Sequence, residues 1–316
     1  MYILDFEKPY LEIEDQIRGL ETLGMQIPLK KKDRDELDRL NNKKEKLLLQ
    51  IYKNLSPWQK VMVARHPERP KTCDYIARLI DRWVPLAGDR CFGEDRAIST
   101  GMGFFRGMPV IIMGHERGKD TESRLEHNFG MAHPEGYRKV YRLLELADRF
   151  GFPVLFFVDT PGAYAGIGAE ERGQAQAIAQ CLERSFQVKS PIISLVIGEG
   201  GSGGAVAMAT ANVILMLQHS VYSVISPEGC ASILWRSAEK RQEAALAQKL
   251  TAQDLKNLRL IDEIIPEPLG GAHRSPLATI DAIGEKIAFY LGKKEDLSLT
   301  HRREKFLAMG RQFLTS

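Results

Sequence analysis

The chain has 316 residues and a mass of 35.6 kDa, with 44% hydrophobic and 27% charged residues. This ordinary globular composition excludes collagen-like and low-complexity structure, and no apolar run approaches the ~20 residues that cross a bilayer. The 44 basic side chains nearly balance the 41 acidic ones, so charge gives no argument for a nucleic-acid partner. The four cysteines form no CxxC pair, which argues against a zinc site and a disulfide framework and favours thiols in a reducing cytosol.

Two apolar seams at helical spacing open the chain. The seams comprise Tyr10, Ile13, Ile17 and Leu20, followed by Leu37, Leu40, Leu47 and Ile51. Each seam predicts an amphipathic helix, and Pro28 between them predicts a break, because proline disrupts a helix interior. We therefore predict an N-terminal helical hairpin over residues 1–55, a core over residues 56–270 and a C-terminal helical region over residues 271–316.

Five short runs rich in Val and Ile predict strands that are covered on both faces, because such strands lack polar alternation. These runs cover residues 110–113, 154–158, 192–197, 213–217 and 221–225. Helical patterns follow at residues 136–149, 168–186 and 277–313. The alternation of strands and helices predicts an α/β fold with mainly parallel strands and crossover helices.

A glycine-rich turn over residues 198–204 is the most informative stretch of the chain. It holds five glycines in seven positions, Gly200 and Gly201 among them, and lies between a predicted buried strand and an Ala-rich helix start. Such a turn leaves unpaired N–H groups at a helix N-terminus, where the helix dipole also favours negative charge. The pattern therefore predicts a site for an anion, or for a group that becomes anionic during a reaction.

Two interpretations of this turn rest on short motifs. Gly198, Gly200 and Gly203 spell the GxGxxG of dinucleotide-binding proteins, but no acidic residue follows before Pro227 to bind a ribose. Ser202 lies in a GxSxG context, as in a nucleophile elbow. The partners of such a serine would come from Asp254 or Asp262 and from His273.

Two further interpretations need no side-chain motif. The turn either forms an oxyanion hole from backbone N–H groups or simply packs a helix closely against a strand. An oxyanion hole needs a second loop facing the first. The segment from Asp159 through Pro161 and Gly162 again follows a buried strand, and parallel strands bring such loops to the same sheet edge. Asp159 itself is a candidate catalyst or a cap for nearby N–H groups.

At these residues the chain resembles the carboxyltransferase alpha subunit of multi-subunit bacterial or plastid acetyl-CoA carboxylase. The matching motifs are Asp159-Thr-Pro-Gly-Ala-Tyr164, Glu170-Glu-Arg-Gly-Gln174, Gly198-Glu-Gly-Gly-Ser-Gly-Gly-Ala205, Gly114-His-Glu-Arg-Gly-Lys-Asp120, Asn128-Phe-Gly-Met-Ala-His-Pro-Glu-Gly-Tyr-Arg138 and Ile225-Ser-Pro-Glu-Gly-Cys-Ala-Ser-Ile-Leu-Trp235. Their common order and spacing over most of the chain carry the resemblance. One departure is Ala165, where the family loop is expected to have proline.

The resemblance implies the crotonase-like fold, a spiral of ββα units, with the helical hairpin and C-terminal helices added. It also implies transfer of a carboxyl group from carboxybiotin to acetyl-CoA, giving malonyl-CoA for fatty acid synthesis. The carboxybiotin would arrive on a biotin carboxyl carrier protein charged by biotin carboxylase, and it would not be attached to this chain. A beta subunit with a zinc ribbon would complete an alpha2–beta2 core in the cytoplasm or plastid stroma, with no metal in this chain.

Site residues are carried over from the resemblance position by position. Its implied N–H donors to the biotin oxygen are Gly203, Gly204 and Ala205, with Gly162 as the donor of the facing loop. Its implied pocket residues are Pro161, Gly200, Gly201, Ser226, Pro227 and Glu228. Three basic residues near the motifs, Lys119, Arg138 and Arg172, are expected to form ion pairs rather than to bind phosphate or carboxylate.

Overall fold

A computed structural model of the chain describes residues 2–28, 30–293 and 297–311. The helices are α1 (Lys8–Gln26), α2 (Lys31–Lys53), α3 (Pro57–Ala64), α4 (Thr72–Leu79), α5 (Thr121–Glu126), α6 (Pro134–Phe150), α7 (Ile167–Glu171), α8 (Gln174–Ser185), α9 (Ser202–Ala209), α10 (Pro227–Trp235), α11 (Arg241–Ala247), α12 (Ala252–Asn257), α13 (Pro276–Gly292) and α14 (Leu299–Ala308). The strands are β1 (Asp81–Pro85), β2 (Ile98–Phe105), β3 (Met108–His115), β4 (Val154–Thr160), β5 (Ile192–Gly201), β6 (Val213–Leu217), β7 (Val221–Ser223) and β8 (Glu263–Ile265).

All eight of these strands belong to one sheet. Its order is β1-β2-β3-β4-β5-β6-β8, and β7 pairs with the end of β5. β2 pairs antiparallel with both β1 and β3, whereas β3, β4, β5, β6 and β8 run parallel to one another. The parallel strands bring the ends of β4 and β5 to one edge, as the sequence predicted.

The sheet is covered by helices on both faces, which explains its apolar strands. In β4, Val154, Phe156 and Val158 pack with residues of α6 and α8, whereas Leu155 and Phe157 face α4 and α13. Neighbouring residues of a strand point to opposite faces, so both sets are buried only when each face has a helical layer.

The predicted helical hairpin is present as α1 and α2. Ile13, Ile17 and Leu40 form a small cluster between the two helices, and Pro28 lies just beyond the end of α1. A second cluster, which includes Tyr52 and Val63, joins the base of the hairpin to the core. Among the described helices, none combines the length and apolarity that a bilayer crossing demands.

The sequence patterns missed some elements and merged others. The strands β1, β2 and β8 were not predicted, because β1 and β8 are short and partly exposed and β2 is interrupted by small and polar residues. The helix predicted over residues 168–186 is divided into α7 and α8, because Gly173 adopts a left-handed conformation with φ of 81°. The predicted C-terminal helical region contains α13 and α14, and its residues 294–296 and 312–313 lie outside the described residues.

Candidate active site

The two glycine-rich turns meet at the carboxyl edge of the sheet. Thr160 at the end of β4 pairs with Gly200 near the end of β5. The backbones then approach so closely that a Cβ on Gly201 would lie 2.1 Å from the carbonyl oxygen of Pro161. Only glycine allows this contact, so the sequence brings the Pro161–Gly162 loop directly against the turn that begins α9.

The first turn of α9 presents unpaired backbone donors. The helix begins at Ser202, and its N-cap residue Gly201 has no side chain to accept from the first N–H groups. In the described parts of the chain, no turn, loop or side-chain oxygen accepts from the amides of Gly203 or Gly204. Because the first amides of a helix have no acceptor within it, both N–H groups keep a free donor, at a half-buried position for Gly203 and a buried one for Gly204.

The other two predicted donors, the amides of Ala205 and Gly162, already have hydrogen-bond acceptors within the chain. Ala205 is fully buried, and its amide is the first in α9 with a carbonyl, that of Gly201, four residues earlier in the chain. The Gly162 amide donates a 3.0 Å hydrogen bond to the hydroxyl oxygen of Thr160. A ligand would have to share or displace these two bonds, so Gly203 and Gly204 are the donors that the geometry favours.

Asp159 and Glu199 anchor the two turns through a shared arginine. Asp159 is buried, and its Oδ1 accepts the Glu199 backbone N–H at 3.0 Å, as expected of a capping carboxylate. The Arg117 guanidinium lies 3.3 Å from a carboxylate oxygen of each residue. Burial alone would raise the pKa of Asp159, but Lys71 and Arg117 lower it, so its carboxylate stays ionised.

The start of α10 is joined to this network through Arg65. Its guanidinium lies 2.6 Å from carboxylate oxygens of both Glu199 and Glu228. Ser226 caps α10 by accepting the Gly229 N–H at 3.1 Å, and Pro227 occupies the first helical position. Of the predicted pocket residues on α10, Glu228 is thus linked to the turns, whereas Ser226 shapes its own helix.

The three basic residues expected to form ion pairs do so. Arg138 contacts Asp89 and Glu135, Arg172 contacts Glu135, and Lys119 contacts Asp74. Their positive charges are therefore neutralised locally, and the structure confirms the interpretation as ion pairs.

The dinucleotide interpretation of the turn is wrong. Gly198 and Gly200 lie within strand β5, which continues to Gly201, so they do not form the turn that would receive a pyrophosphate.

The serine nucleophile interpretation also fails. His273 stacks on His66 with ring centroids 3.7 Å apart, and both of its ring nitrogens are buried without a hydrogen-bond partner. Asp254 caps α12 through Thr251, and Asp262 pairs with Lys305. Because a triad needs the base bonded to both partners, Ser202 has no catalytic machinery around it.

The residues that sequence reasoning missed are Arg65, Lys71, Arg117 and Glu199. Arg117 and Glu199 lie in motifs that carried the resemblance, whereas Arg65 and Lys71 lie outside them, and no spacing rule joins residues 65 and 199. The available signal was chemical: an acidic residue, Glu199, stands inside an otherwise apolar strand end, and a buried carboxylate requires a cationic partner.

The fold is similar to that of a transcarboxylase, a carboxylase and a decarboxylase of known structure. Transcarboxylase 12S matches with a TM-score of 0.54 and 18% identity, over 67% of this chain and 41% of that one. The beta subunit of P. aeruginosa geranyl-CoA carboxylase matches with a TM-score of 0.55 and 16% identity, over 75% of this chain and 44% of that one. A chain of a Pseudomonas malonate decarboxylase hetero-tetramer in complex with coenzyme A matches with a TM-score of 0.56 and 18% identity, over 69% of this chain and 90% of that one. The match thus spans less than half of the first two chains. These likenesses confirm the predicted crotonase-like α/β fold.

Sequence relatives identify the family. Residues 3–310 match the family described as acetyl co-enzyme A carboxylase carboxyltransferase-like. The chain is 56% identical to the acetyl-coenzyme A carboxylase carboxyl transferase subunit alpha of Paracoccus denitrificans, over 99% of this chain and 100% of that protein. It is 54% identical to the same subunit of Paramagnetospirillum magneticum, over 100% of both. The chain belongs to this family of alpha subunits, which confirms the resemblance found in its motifs.

Proposed function

We propose that the chain is the alpha subunit of an acetyl-CoA carboxylase carboxyltransferase, transferring a carboxyl group from carboxybiotin to acetyl-CoA to give malonyl-CoA. Biotin, delivered on a carrier protein, supplies the carboxyl group and a ureido oxygen that gains negative charge as the carboxyl group leaves. The observation that carries the proposal is the pair of unpaired amides at Gly203 and Gly204, where two glycine-rich turns meet.

The chain's own residues would act by holding charge. The Gly203 and Gly204 N–H groups, with Ala205 and Gly162 as secondary donors, would stabilise the ureido oxygen at the positive end of α9. The donors are held by a rigid sheet edge, so they need no reorganisation when charge develops. No side-chain acid or base is assigned, which agrees with the failure of the serine triad.

The remaining partners follow from the family. We infer a beta subunit with a zinc ribbon that binds most of the acyl-CoA, a biotin carboxyl carrier protein and a biotin carboxylase, in a cytoplasmic complex with an alpha2–beta2 core. A biotin-binding pocket at these turns would also be lined by Pro161, Gly200 and Gly201. Pro227 and Glu228 would border it through the Arg65 link.

Two neighbouring glycines offer a matched test. A Cβ on Gly204 would lie 2.9 Å from backbone atoms of Gly162 and Ala163, so alanine there must force the two turns apart. A Cβ on Gly203 would lie 3.4 Å from the end of the Ile178 side chain, which is an ordinary contact. Gly204→Ala should therefore displace the donors, whereas Gly203→Ala keeps them.

The assay is carboxyl transfer between malonyl-CoA and biotin by the chain in complex with its beta subunit. We expect Gly204→Ala to lower kcat by about 100-fold, as for the loss of one oxyanion donor. Gly203→Ala should change kcat by less than about threefold. Gel filtration of both complexes checks that the subunits remain assembled. Full turnover by an assembled Gly204→Ala complex would show that the amides of α9 do not stabilise the reaction.

A further inference from the structure

A cavity at the same sheet edge as the two glycine-rich turns has a strongly basic lining. Its volume is about 220 Å³, and it is lined by Tyr2, Arg65, Pro67, Lys71, Arg117, Gly118, Arg124 and Phe129. Four of these side chains are cationic and none is acidic. The carboxylates of Asp159, Glu199 and Glu228 contact the cations but do not line the cavity.

Lys71 is the most buried of the four cations. It is 5% exposed, and among the described residues its ammonium has no hydrogen-bond acceptor. The one carboxylate oxygen within 4 Å, Oδ2 of Asp159, is 3.6 Å away, which is too far for a hydrogen bond. An ammonium carries three donors, and burying it without acceptors is costly. An oxyanion in the cavity would supply the missing acceptors.

The charges around Lys71 also favour an anion in the cavity. Burial lowers the pKa of Lys71, and the guanidiniums of Arg117 and Arg69 lower it further against the opposing attraction of Asp159. A bound anion would reverse this effect and favour the charged ammonium.

Arg124 is a second cation with unused donors. Within the described ranges its guanidinium has no carboxylate partner within 4 Å, although it is half-buried at the cavity. By contrast, Arg65 bridges Glu199 and Glu228, and Arg117 bridges Asp159 and Glu199. The cavity therefore combines two neutralised arginines with two cations, Lys71 and Arg124, that lack hydrogen-bonded carboxylates.

We propose that this cavity is an anion-binding site for a phosphate group, contacted by Lys71, Arg124 and Arg117. A phosphate offers three or four acceptor oxygens that several cations can share, whereas a carboxylate offers two. The phosphate belongs either to coenzyme A or to free inorganic phosphate, and both sources present the same oxygens. The assignment to coenzyme A rests on the proposed function, whereas binding of inorganic phosphate does not.

The position of the cavity couples it to the carboxyltransfer site. Arg117 and Lys71 are the cations that contact Asp159, which directly precedes the Thr160–Gly162 turn. A phosphate that competes for these cations would weaken their hold on Asp159 and Glu199. The bound anion therefore acts on the anchor of both turns without touching the amides of α9.

The test measures phosphate binding by calorimetry on the full chain, with chloride at equal ionic strength as the reference. We expect saturable binding of inorganic phosphate to the wild type and at least about a tenfold weaker Kd for Lys71→Met and for Arg124→Gln. The controls Lys189→Met and Arg149→Gln remove exposed cations outside the cavity and should leave Kd unchanged. Arg124 is half-buried at the surface, so Arg124→Gln remains informative if Lys71→Met fails to fold.

A second arm identifies the source of the phosphate. Coenzyme A and pantetheine are compared for binding to the chain in complex with its beta subunit. A loss of coenzyme A affinity in Lys71→Met, with pantetheine unaffected, assigns the cavity to a phosphate of coenzyme A. Binding of inorganic phosphate with no such difference assigns it to free phosphate. The absence of saturable phosphate binding, binding of acetate in its place, or equal Kd values in all variants would overturn the proposal.

Discussion

The buried pair of Arg69 and Glu267 provides a quantitative test of how the sheet edge is held together. Both side chains are completely buried, and two hydrogen bonds of 2.8 and 2.6 Å join them. The Arg69 Nε also donates to the carbonyl oxygen of Ile197 in β5 at 2.6 Å, and Glu267 accepts the backbone N–H groups of His219 and Ala272. The pair therefore ties β5, just before the glycine-rich turn, to the segment that follows β8.

Replacing Arg69 by methionine should destabilise the chain by about 3–5 kcal/mol. The loss arises because Glu267 keeps a buried charge with only two backbone donors, and the Ile197 carbonyl loses its partner. Burial alone would raise the pKa of Glu267, but Arg69 lowers it to about 2, so the carboxylate is ionised at neutral pH. The double variant Arg69→Met/Glu267→Leu removes both charges and should recover most of the lost stability.

The measurement is urea unfolding monitored by circular dichroism. Arg78→Met is the matched control, because Arg78 forms the same bidentate contact with Asp281 at the exposed surface. Water screens an exposed pair, which therefore contributes little to stability, so Arg69→Met should lower the free energy of unfolding severalfold more than Arg78→Met does. Equal losses in Arg69→Met and Arg78→Met would refute the argument, as would a double variant no more stable than the single one.

Three further outcomes can be measured on the same chain. Arg302→Met should cost about 2–4 kcal/mol in urea unfolding, because this buried guanidinium joins α14 to carbonyls of residues 188–190; a loss below about 1 kcal/mol would contradict this role. Burial lowers the pKa of His115 and of His219 from 6.5 to about 4. Their neutral forms therefore give stability that is present above pH 6.5 and lost as the pH falls towards 4, up to about 3 kcal/mol each. The stability of His115→Gln/His219→Gln should therefore change less with pH over this range than that of the wild type, and equal slopes would contradict the reasoning. Ser226→Ala should lower stability by about 1 kcal/mol through its lost helix cap and leave kcat unchanged; a large fall in kcat would assign Ser226 to the reaction instead.

Periodicity and apolar runs were enough to predict the helical hairpin and the strands β3 to β7. Residues 154–158 and 192–197 carry no polar alternation, and a run of this kind has few alternatives to a central strand. The strands β1 and β8 are short and largely exposed or half-buried, so no pattern marks them. Gly173 breaks the long predicted helix, and an isolated glycine is not by itself a reliable stop signal.

The position of the site was predictable, but its charged support was not. Two strand–turn–helix units in succession place both turns at one sheet edge, whatever their side chains. The contacts of Arg65 with Glu199 and of Arg69 with Glu267 join residues 134 and 198 positions apart. A single sequence contains no rule that pairs such distant charges, because the pairing depends on how the segments before β1 cross the sheet edge.

The five glycines of the turn divide into two groups with different physical roles. A Cβ on Gly198 would lie 2.4 Å from the Asp159 carboxylate in β4, and one on Gly201 or Gly204 would lie 2.1 or 2.9 Å from backbone atoms of the loop after β4. Every third position must therefore be glycine for β4 and its loop to pack against this turn. A Cβ on Gly200 or Gly203 would meet only side chains, at 3.1 Å or more. Packing and anion binding are therefore not competing explanations of this sequence. The close approach of the β4 loop fixes the α9 amides in place, and a donor that is fixed before charge develops stabilises that charge most effectively.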